Sequence, residues 1–394
     1  MRFLTVILFF IALNAFGQNR ADLKNINIQD GLSQSVVNDI LIDTKGFCWI
    51  GTQNGLNRFD GYSFKSFYNN PDDKYSISSD YITAIAEDAN DNLWIGTRTG
   101  LNKYESRKER FIHFGLPTNN MVFPEINVRS LLVDSKNFIW VLLPNYLVRI
   151  NPVDLEFKIF SFGNNSGAYQ YCVASSLYES NNGNIWFVNG DRLVMFDKVF
   201  EKFEFLDLQL LGSKSCINKV FEYQSKMFVA TDYRVFELLP NQKLSLIHKF
   251  NSKFYVFQNK NKVFASLANG LYEFVDFKFK PKVLYKDNSG GVKRFLVTSS
   301  TIDKSSNIWI GTSGKGVFKT SISKPKFIKL ERQVSPNHYL SDDQISSIAA
   351  DDKYYWIGTY EYGLNRVDRK SGKVKIFNVE NSRDVIPVDN IYSV

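Results

Sequence analysis

The sequence predicts an all-β fold, a β-propeller built from eight copies of one repeat. Three observations carry this reading. The tetrapeptide Trp-Ile-Gly-Thr occurs four times, beginning at Trp49, Trp94, Trp309 and Trp356, and Trp140 and Trp186 mark two further copies, so all six tryptophans share one repeat position. Each copy holds four short apolar runs punctuated by Asp, Asn and Gly turns, and four antiparallel strands per repeat of this length is a propeller blade. Phe (34) and Tyr (20) far outnumber Met (4), which suits pleated surfaces better than helical bundles.

Residues 1–17 read as a secretory signal peptide. Arg2 gives the positive start, Phe3 to Leu13 the apolar run, and Ala15-Phe16-Gly17 the small-residue cleavage site before Gln18. That run is too short to span ~30 Å of hydrocarbon, and no later stretch is long and apolar enough to do so. Leu23-Lys24-Asn25-Ile26-Asn27-Ile28 alternates like a strand ahead of the first blade. It is expected to pair in the last blade and fasten the ring. In the first copy, strands are expected at Val37–Ile42, Phe47–Thr52, Leu56–Phe59 and Tyr62–Phe67, with turns at Asp43–Gly46 and Gln53–Gly55. Two weaker copies, around Phe228 and Phe264, fill the interval between Trp186 and Trp309.

A blade packs on both neighbours, so its second strand should be apolar on both faces. Phe47 and Trp49 point one way, Cys48 and Ile50 the other. Gly51, Gly96, Gly311 and Gly358 are structural, and Gly51 is expected to make room for a large aromatic of the adjacent blade. Lysines guard the outermost strands: Lys278, Lys280 and Lys282 alternate with Phe277 and Phe279, and Lys373 and Lys375 with Val374 and Ile376. With a net charge of +8 over 394 residues, edge protection accounts for them better than a nucleic-acid surface.

Gly31-Leu32-Ser33, then Asp43, Gly46, Trp49-Ile50-Gly51-Thr52 and Gly55-Leu56-Asn57-Arg58, resembles the two-component regulator propeller repeat. Copy two (Asp88, Trp94 to Thr97, Gly100-Leu101-Asn102) and copy eight (Asp352, Trp356 to Thr359, Gly363-Leu364-Asn365) match in the same way; copies three to six depart from it. The repeat fills the periplasmic sensors of Bacteroidetes-type hybrid two-component systems. The resemblance implies a seven-bladed β-propeller of four-stranded antiparallel blades over residues 18–330, followed by the truncated start of a second propeller within 331–394, its next blade opening at Asn390; an eight-bladed ring closed by that last strand is the alternative. It also implies a fragment whose kinase and membrane helix lie outside this chain, and a homodimer in the full-length relative.

Catalytic and metal chemistry finds no foothold. His113, His248 and His338 stand at no metal-ligand spacing, so no metal or other cofactor is expected. Asp88-Ala89-Asn90-Asp91-Asn92 lacks the Gly and Glu of a calcium loop. Residues 311–316 lack phosphate-loop spacing, and Ser33 lacks a nucleophile elbow. Asp43, Asp88, Asp134 and Asp303 recur as turn residues rather than as one acid pair. Cys48 is read as an inert core thiol. Cys172 and Cys216 each precede an innermost strand in an oxidising compartment; two free core thiols are expected there, with a disulfide as the alternative, because neighbouring innermost strands usually lie beyond bridging distance.

Loops entering the innermost strands and those joining strands two and three share one face. There the sequence offers Asn54, Tyr81, Arg98, Phe123, Arg129, Tyr169, Tyr171 and Arg192, with Tyr360 and Tyr362 in the last copy. Aromatic faces stack on sugar rings, and Arg and Asn bond hydroxyls, sulfates or carboxylates. The expected role is a periplasmic, non-catalytic sensor of an oligosaccharide or polysaccharide. A secreted propeller hydrolase or lyase, and a plain secreted binding propeller, are the alternatives.

Overall fold

The computed structural model describes residues 20–115 except 22, 117–118, 121–122, 127–163, 176–189, 192–207, 217–259, 261–285, 295–321, 339–380 and 389–394. The expected signal peptide, the first-domain boundary at 330, His338, Cys172 and Cys216 lie outside the described residues. The chain divides into two compact units, residues 1–323 and 324–394.

Among its described residues the first unit contains seven sheets of four or more strands in chain order, spanning residues 37–67, 82–114, 130–161, 178–207, 217–249, 255–285 and 297–321, and a small hairpin of Pro117–Thr118 with Met121–Val122. The seven sheets are numbered here as blades 1 to 7. In blade 1 the strands are Val37–Ile42, Cys48–Thr52, Leu56–Phe59 and Phe64–Phe67. Blade 7 has three strands from its own repeat. Its fourth is Lys24–Ile26, antiparallel to Val317–Ser321 with Asn25 opposite Phe318. The Asn25 amide donates to the Lys315 carbonyl at 2.8 Å, and Ile26 is buried. The N-terminal strand thus fastens the last blade, as its alternation indicates. One pairing is unforeseen: Arg20–Ala21 runs parallel to Leu284–Tyr285 at the edge of blade 6.

Apolar residues between consecutive blades make the core. Cys48 and Ile50 of blade 1 share a cluster with Trp309 and Val317 of blade 7, while Trp49 packs with Ile82 and Ile85 of blade 2. The second strand is therefore buried on both faces, and the seventh sheet packs on the first. The glycine expectation is corrected. A Cβ on Gly51 would stand 2.6 Å from Ile82 Cγ2, and one on Gly311 2.7 Å from Val37 Cγ1; on Gly96 it would collide with Val128. What approaches is a β-branched aliphatic at the start of the neighbouring innermost strand, because blades are closest there and an aromatic ring would not fit.

Two hydrogen-bonded motifs explain the repeat's polar residues. The first joins strands one and two. The indole N–H donates to a carboxylate of the preceding turn: Trp49 to Asp43 at 2.8 Å, Trp94 to Asp88 at 3.0 Å, Trp140 to Asp134 at 2.8 Å and Trp309 to Asp303 at 3.0 Å. The other carboxylate oxygen accepts turn backbone N–H groups, as Asp88 does from Asn90 and Asn92. Where Phe228 and Phe264 replace Trp there is no N–H to receive, and no Asp stands in the turn. The second motif ties the entry loop to the blade. Buried Asn57 accepts from the Ser33 backbone N–H at 3.0 Å and donates to the Ser33 hydroxyl at 2.8 Å, and that hydroxyl pairs with Thr52. Asn102 with Ser78 and Thr97 repeats it.

The second unit contains one four-stranded sheet, Ile345–Ala350, Tyr354–Thr359, Leu364–Asp368 and Val374–Phe377. Asn365, Ser341 and Thr359 reproduce the entry lock. Asp351, not Asp352, accepts the Trp356 indole at 2.8 Å, because this hairpin is one residue shorter. Ile391 crowds Gly358 as Ile82 crowds Gly51, and its N–H donates to the Thr359 carbonyl at 3.0 Å. Residues 389–394 take the course of a following innermost strand without forming one. Ile348 is 65% exposed, whereas its counterparts Ile40 and Ile85 are buried between blades. Phe277 also departs from expectation. It sits at φ 58° in a hairpin turn, not in the strand.

Candidate ligand-binding face

The turn between strands two and three is held by its threonine. Thr52 Oγ1 donates to the Gly55 carbonyl at 2.9 Å and receives the Asn54 N–H. Gly55 N–H reaches the Asp80 carbonyl at 2.7 Å, on the chain entering blade 2. Its φ of 110° is a conformation open to glycine. This turn of blade 1 is thus tied to the entry of blade 2's innermost strand, and side chains of the two blades meet.

Of the expected ligand residues, Tyr81 and Arg98 come together. The Arg98 guanidinium lies 3.6 Å from the Tyr81 ring centroid, and its backbone N–H bonds the Tyr81 carbonyl. Gln53 of blade 1 donates its amide to the Tyr81 hydroxyl at 3.4 Å, so exposed Asn54 stands beside this pair. Gln53 was missed because its position shows no common side chain among the repeats: Gln53, Arg98, Ser313 and Tyr360 share it. Arg129 is placed differently. It extends blade 3's innermost strand inward, bonding Leu142 through its backbone, and burial lowers its guanidinium's pKa. Arg192 is half-buried at the start of a third strand in blade 4. Phe123, Tyr169 and Tyr171 lie outside the described residues. In the second unit, Tyr360 meets Tyr392 edge-on at 6.1 Å.

The ring's axis holds a polar group that the sequence did not single out. At the register position facing the repeat glycine stand Asp39, Ala84 and Ser299, with Lys219 and Tyr255 in the Trp-less blades. Asp39 Oδ2 accepts from the Ile85 N–H at 2.9 Å, and Oδ1 accepts from Ser299 Oγ at 3.1 Å. Ser130 likewise accepts from Leu177 N–H at 3.2 Å. These side chains bridge adjacent innermost strands. Burial raises the Asp39 carboxyl, against its hydrogen bonds and the Lys219 charge. Burial lowers the Lys219 ammonium and raises the Tyr255 phenol. Asp39 is engaged on both oxygens and has no second carboxylate at this level among the described residues, so an acid pair for glycoside cleavage is not assembled there.

The remaining motifs are structural. His113 bonds the Ser76 carbonyl at 2.7 Å, and the His248 ring lies against Phe250, tilted by 59° at 4.4 Å. Cys48 is buried and unpaired, with burial raising its thiol. No cluster of three metal-ligating side chains occurs among the described residues, and no helix there is long and apolar enough to cross a membrane.

Residues 76–99 match the family model described as two component regulator propeller. The chain carries that repeat. Over 76 residues it is 50% identical to a histidine kinase, P4, of Formosa agariphila, a match covering 19% of this chain and 6% of the kinase. The extracellular domain of the hybrid two-component system BT3049 from B. thetaiotaomicron superposes with a TM-score of 0.63 at 20% identity, covering 91% of this chain and 49% of that one. The extracellular domain of BT4673 from the same organism gives a TM-score of 0.58 at 20% identity, covering 95% and 48%. The chain therefore spans about half the length of these solved domains.

Proposed function

We propose that this two-component regulator propeller chain is the ligand-recognising part of an exported hybrid two-component receptor. In this reading it lies in the periplasm, has no reaction of its own, and binds an oligosaccharide. Occupancy passes to a kinase in another part of the receptor, through a shift between two arrangements of propellers in a homodimer. A ligand moves such an equilibrium only by its differential affinity for the two arrangements.

The observation that carries the reading is the Gln53–Tyr81–Arg98 pad at the junction of blades 1 and 2. The ring fixes the guanidinium plane, leaving its N–H edges set for hydroxyl, carboxylate or sulfate oxygens. Asn54 adds an exposed amide alongside. Fixing the groups before binding lowers the entropy that binding costs. The 76-residue match to a histidine kinase and the likeness to extracellular domains of two-component systems support the signalling role.

The test is calorimetric titration of a panel of neutral and acidic oligosaccharides against the chain and Arg98→Ala. One glycan class should bind, with at least a tenfold loss in the variant and unchanged melting temperature. Binding indifferent to Arg98 would reject the pad. Turnover of any glycan would favour the hydrolase or lyase alternative instead.

A further inference from the structure

On the opposite face from that pad, a cleft of about 240 Å³ opens between the first hairpins of blades 1 and 2. It is lined by the carboxylates of Asp43, Glu87 and Asp91, by the rings and apolar side chains of Phe47, Trp49, Leu93 and Tyr104, and by the cations Lys45, Arg58 and Arg107. Thr44 holds the acids together. Its N–H and hydroxyl bond Glu87, and its hydroxyl also bonds Asp91 at 2.9 Å. Asp43 is buried. Burial, with the neighbouring Asp43 and Asp91 charges, raises the Glu87 carboxyl despite the Thr44 bonds.

The molecule contains the same junction a second time, between blades 3 and 4, and there it is filled. Asp134 stands for Asp43, Ser135 for Thr44, Glu179 for Glu87 and Trp140 for Trp49. Ser135 bonds Glu179 through N–H and hydroxyl as Thr44 bonds Glu87. Arg149 lies over Phe138 and Trp140 as Arg58 lies over Phe47 and Trp49. At this second junction the Lys198 ammonium sits 2.9 Å from Asp134 and 2.6 Å from Glu179, and 5.9 Å from the Trp140 ring. The residue at the Lys198 position in blade 2 is Ser106. The first junction thus has the carboxylates and indole that hold an ammonium, a third carboxylate besides, an open cleft, and a serine where Lys198 stands.

We propose that the cleft between blades 1 and 2 binds a primary ammonium group, supplied by an amino sugar or by a lysine side chain. Lys198 is the built-in image of that ligand: one N–H⁺ to each of two carboxylates and the charge against the indole face. The apolar wall of Phe47, Leu93 and Tyr104 receives the carbon frame behind the nitrogen. This site is separate from the proposed glycan pad and stands whether or not the pad is correct.

The experiment titrates the full chain with glucosamine and with Nα-acetyl-lysine amide, using N-acetylglucosamine as the uncharged control. Saturable binding of at least one ammonium probe and none of the control is expected, and the better probe identifies the source. Ser106→Lys should abolish it by supplying the missing ammonium, and Glu87→Gln should weaken it at least fivefold while keeping the Thr44 bonds. Lys198→Ala should create a second site, seen as a doubled stoichiometry. Failure of both probes with the native chain, or equal binding to native, S106K and E87Q proteins, would overturn the proposal. So would binding that emerges only in Lys45→Ala or Arg107→Ala, since the cleft would then be closed by its own cations.

Discussion

The indole–carboxylate pair of blade 2 is open to a quantitative test. Trp94 and Asp88 are both buried, and Trp94 Nε1 donates to Asp88 Oδ2 at 3.0 Å. A hydrogen bond to a charged acceptor contributes about 1.5–3 kcal/mol, and a buried partner left unmade costs a similar amount. Trp94→Phe removes the donor and part of a buried ring, a further ~1 kcal/mol at ordinary burial coefficients, so about 2.5–4 kcal/mol is expected. Asp88→Asn turns an amide nitrogen toward the indole N–H while keeping the Oδ1 bonds to Asn90 and Asn92; about 2–3 kcal/mol is expected. In the double variant the shared bond is counted once, so its cost should fall short of the sum by about 1.5–3 kcal/mol. Blades 5 and 6, with Phe and no Asp, show that the repeat tolerates losing both. Urea unfolding of the four proteins measures the cycle, provided the denaturant slope is unchanged. Costs that add to within about 0.5 kcal/mol would refute the pairing as the reason Trp and Asp recur together.

Three further outcomes follow. Gly96→Ala places a methyl against Val128 and should cost about 1–3 kcal/mol by overpacking, part of which Val128→Ala restores in thermal melts. Ile26→Ala empties a buried position on the fastening strand. It should cost about 2–5 kcal/mol in urea unfolding, and proteolysis should then cut the N-terminal segment first. Acid should weaken the ring. For Asp134 burial acts upward, but the Trp140, Lys198 and backbone bonds outweigh it; for Asp303 burial is likewise outweighed, by Trp309, Asn307 and backbone bonds. Both carboxyls lie below their ordinary values. Their contribution is complete above the unfolded-state value of about 3.9 and is lost as pH falls through the folded values. Asp303→Asn should flatten part of that decline in melts between pH 5 and 2.

Features that repeat within about fifty residues were readable in the sequence; features set by distant pairing were not. Strands of blade 1 agree within a residue or two of expectation, because turn residues and alternation determine hairpins locally. The fastening role of Lys24–Ile26 was visible from its alternation, but not the parallel contact of Arg20–Ala21 with blade 6, which depends on residues near 285. The polar axis escaped notice because Lys219 and Tyr255 sit in copies without tryptophan, where nothing marks the register. Gly51 was correctly assigned to a close approach, though the shape of what approaches is decided by the neighbouring blade. On the candidate face, Tyr81 and Arg98 were identifiable by loop position, whereas Gln53 looked like any turn residue. That Ser106 occupies the position of Lys198 emerges only when the two blades are aligned by strand register.

Having its fourth strand come from the chain's beginning gives blade 7 an unusual history and an unusual weakness. Lys24–Ile26 is made early in synthesis, yet its partner near Val317 follows almost three hundred residues later, so the clasp is among the last contacts to form. Closing so long a loop costs entropy that local hairpins avoid. Until then six blades and part of a seventh stand as an open arc with two sticky ends. In the finished molecule, tension on the N-terminal segment loads first the two-residue contact with blade 6 and then three residues of backbone pairing in blade 7. The ring would unzip at that seam before any hairpin yields.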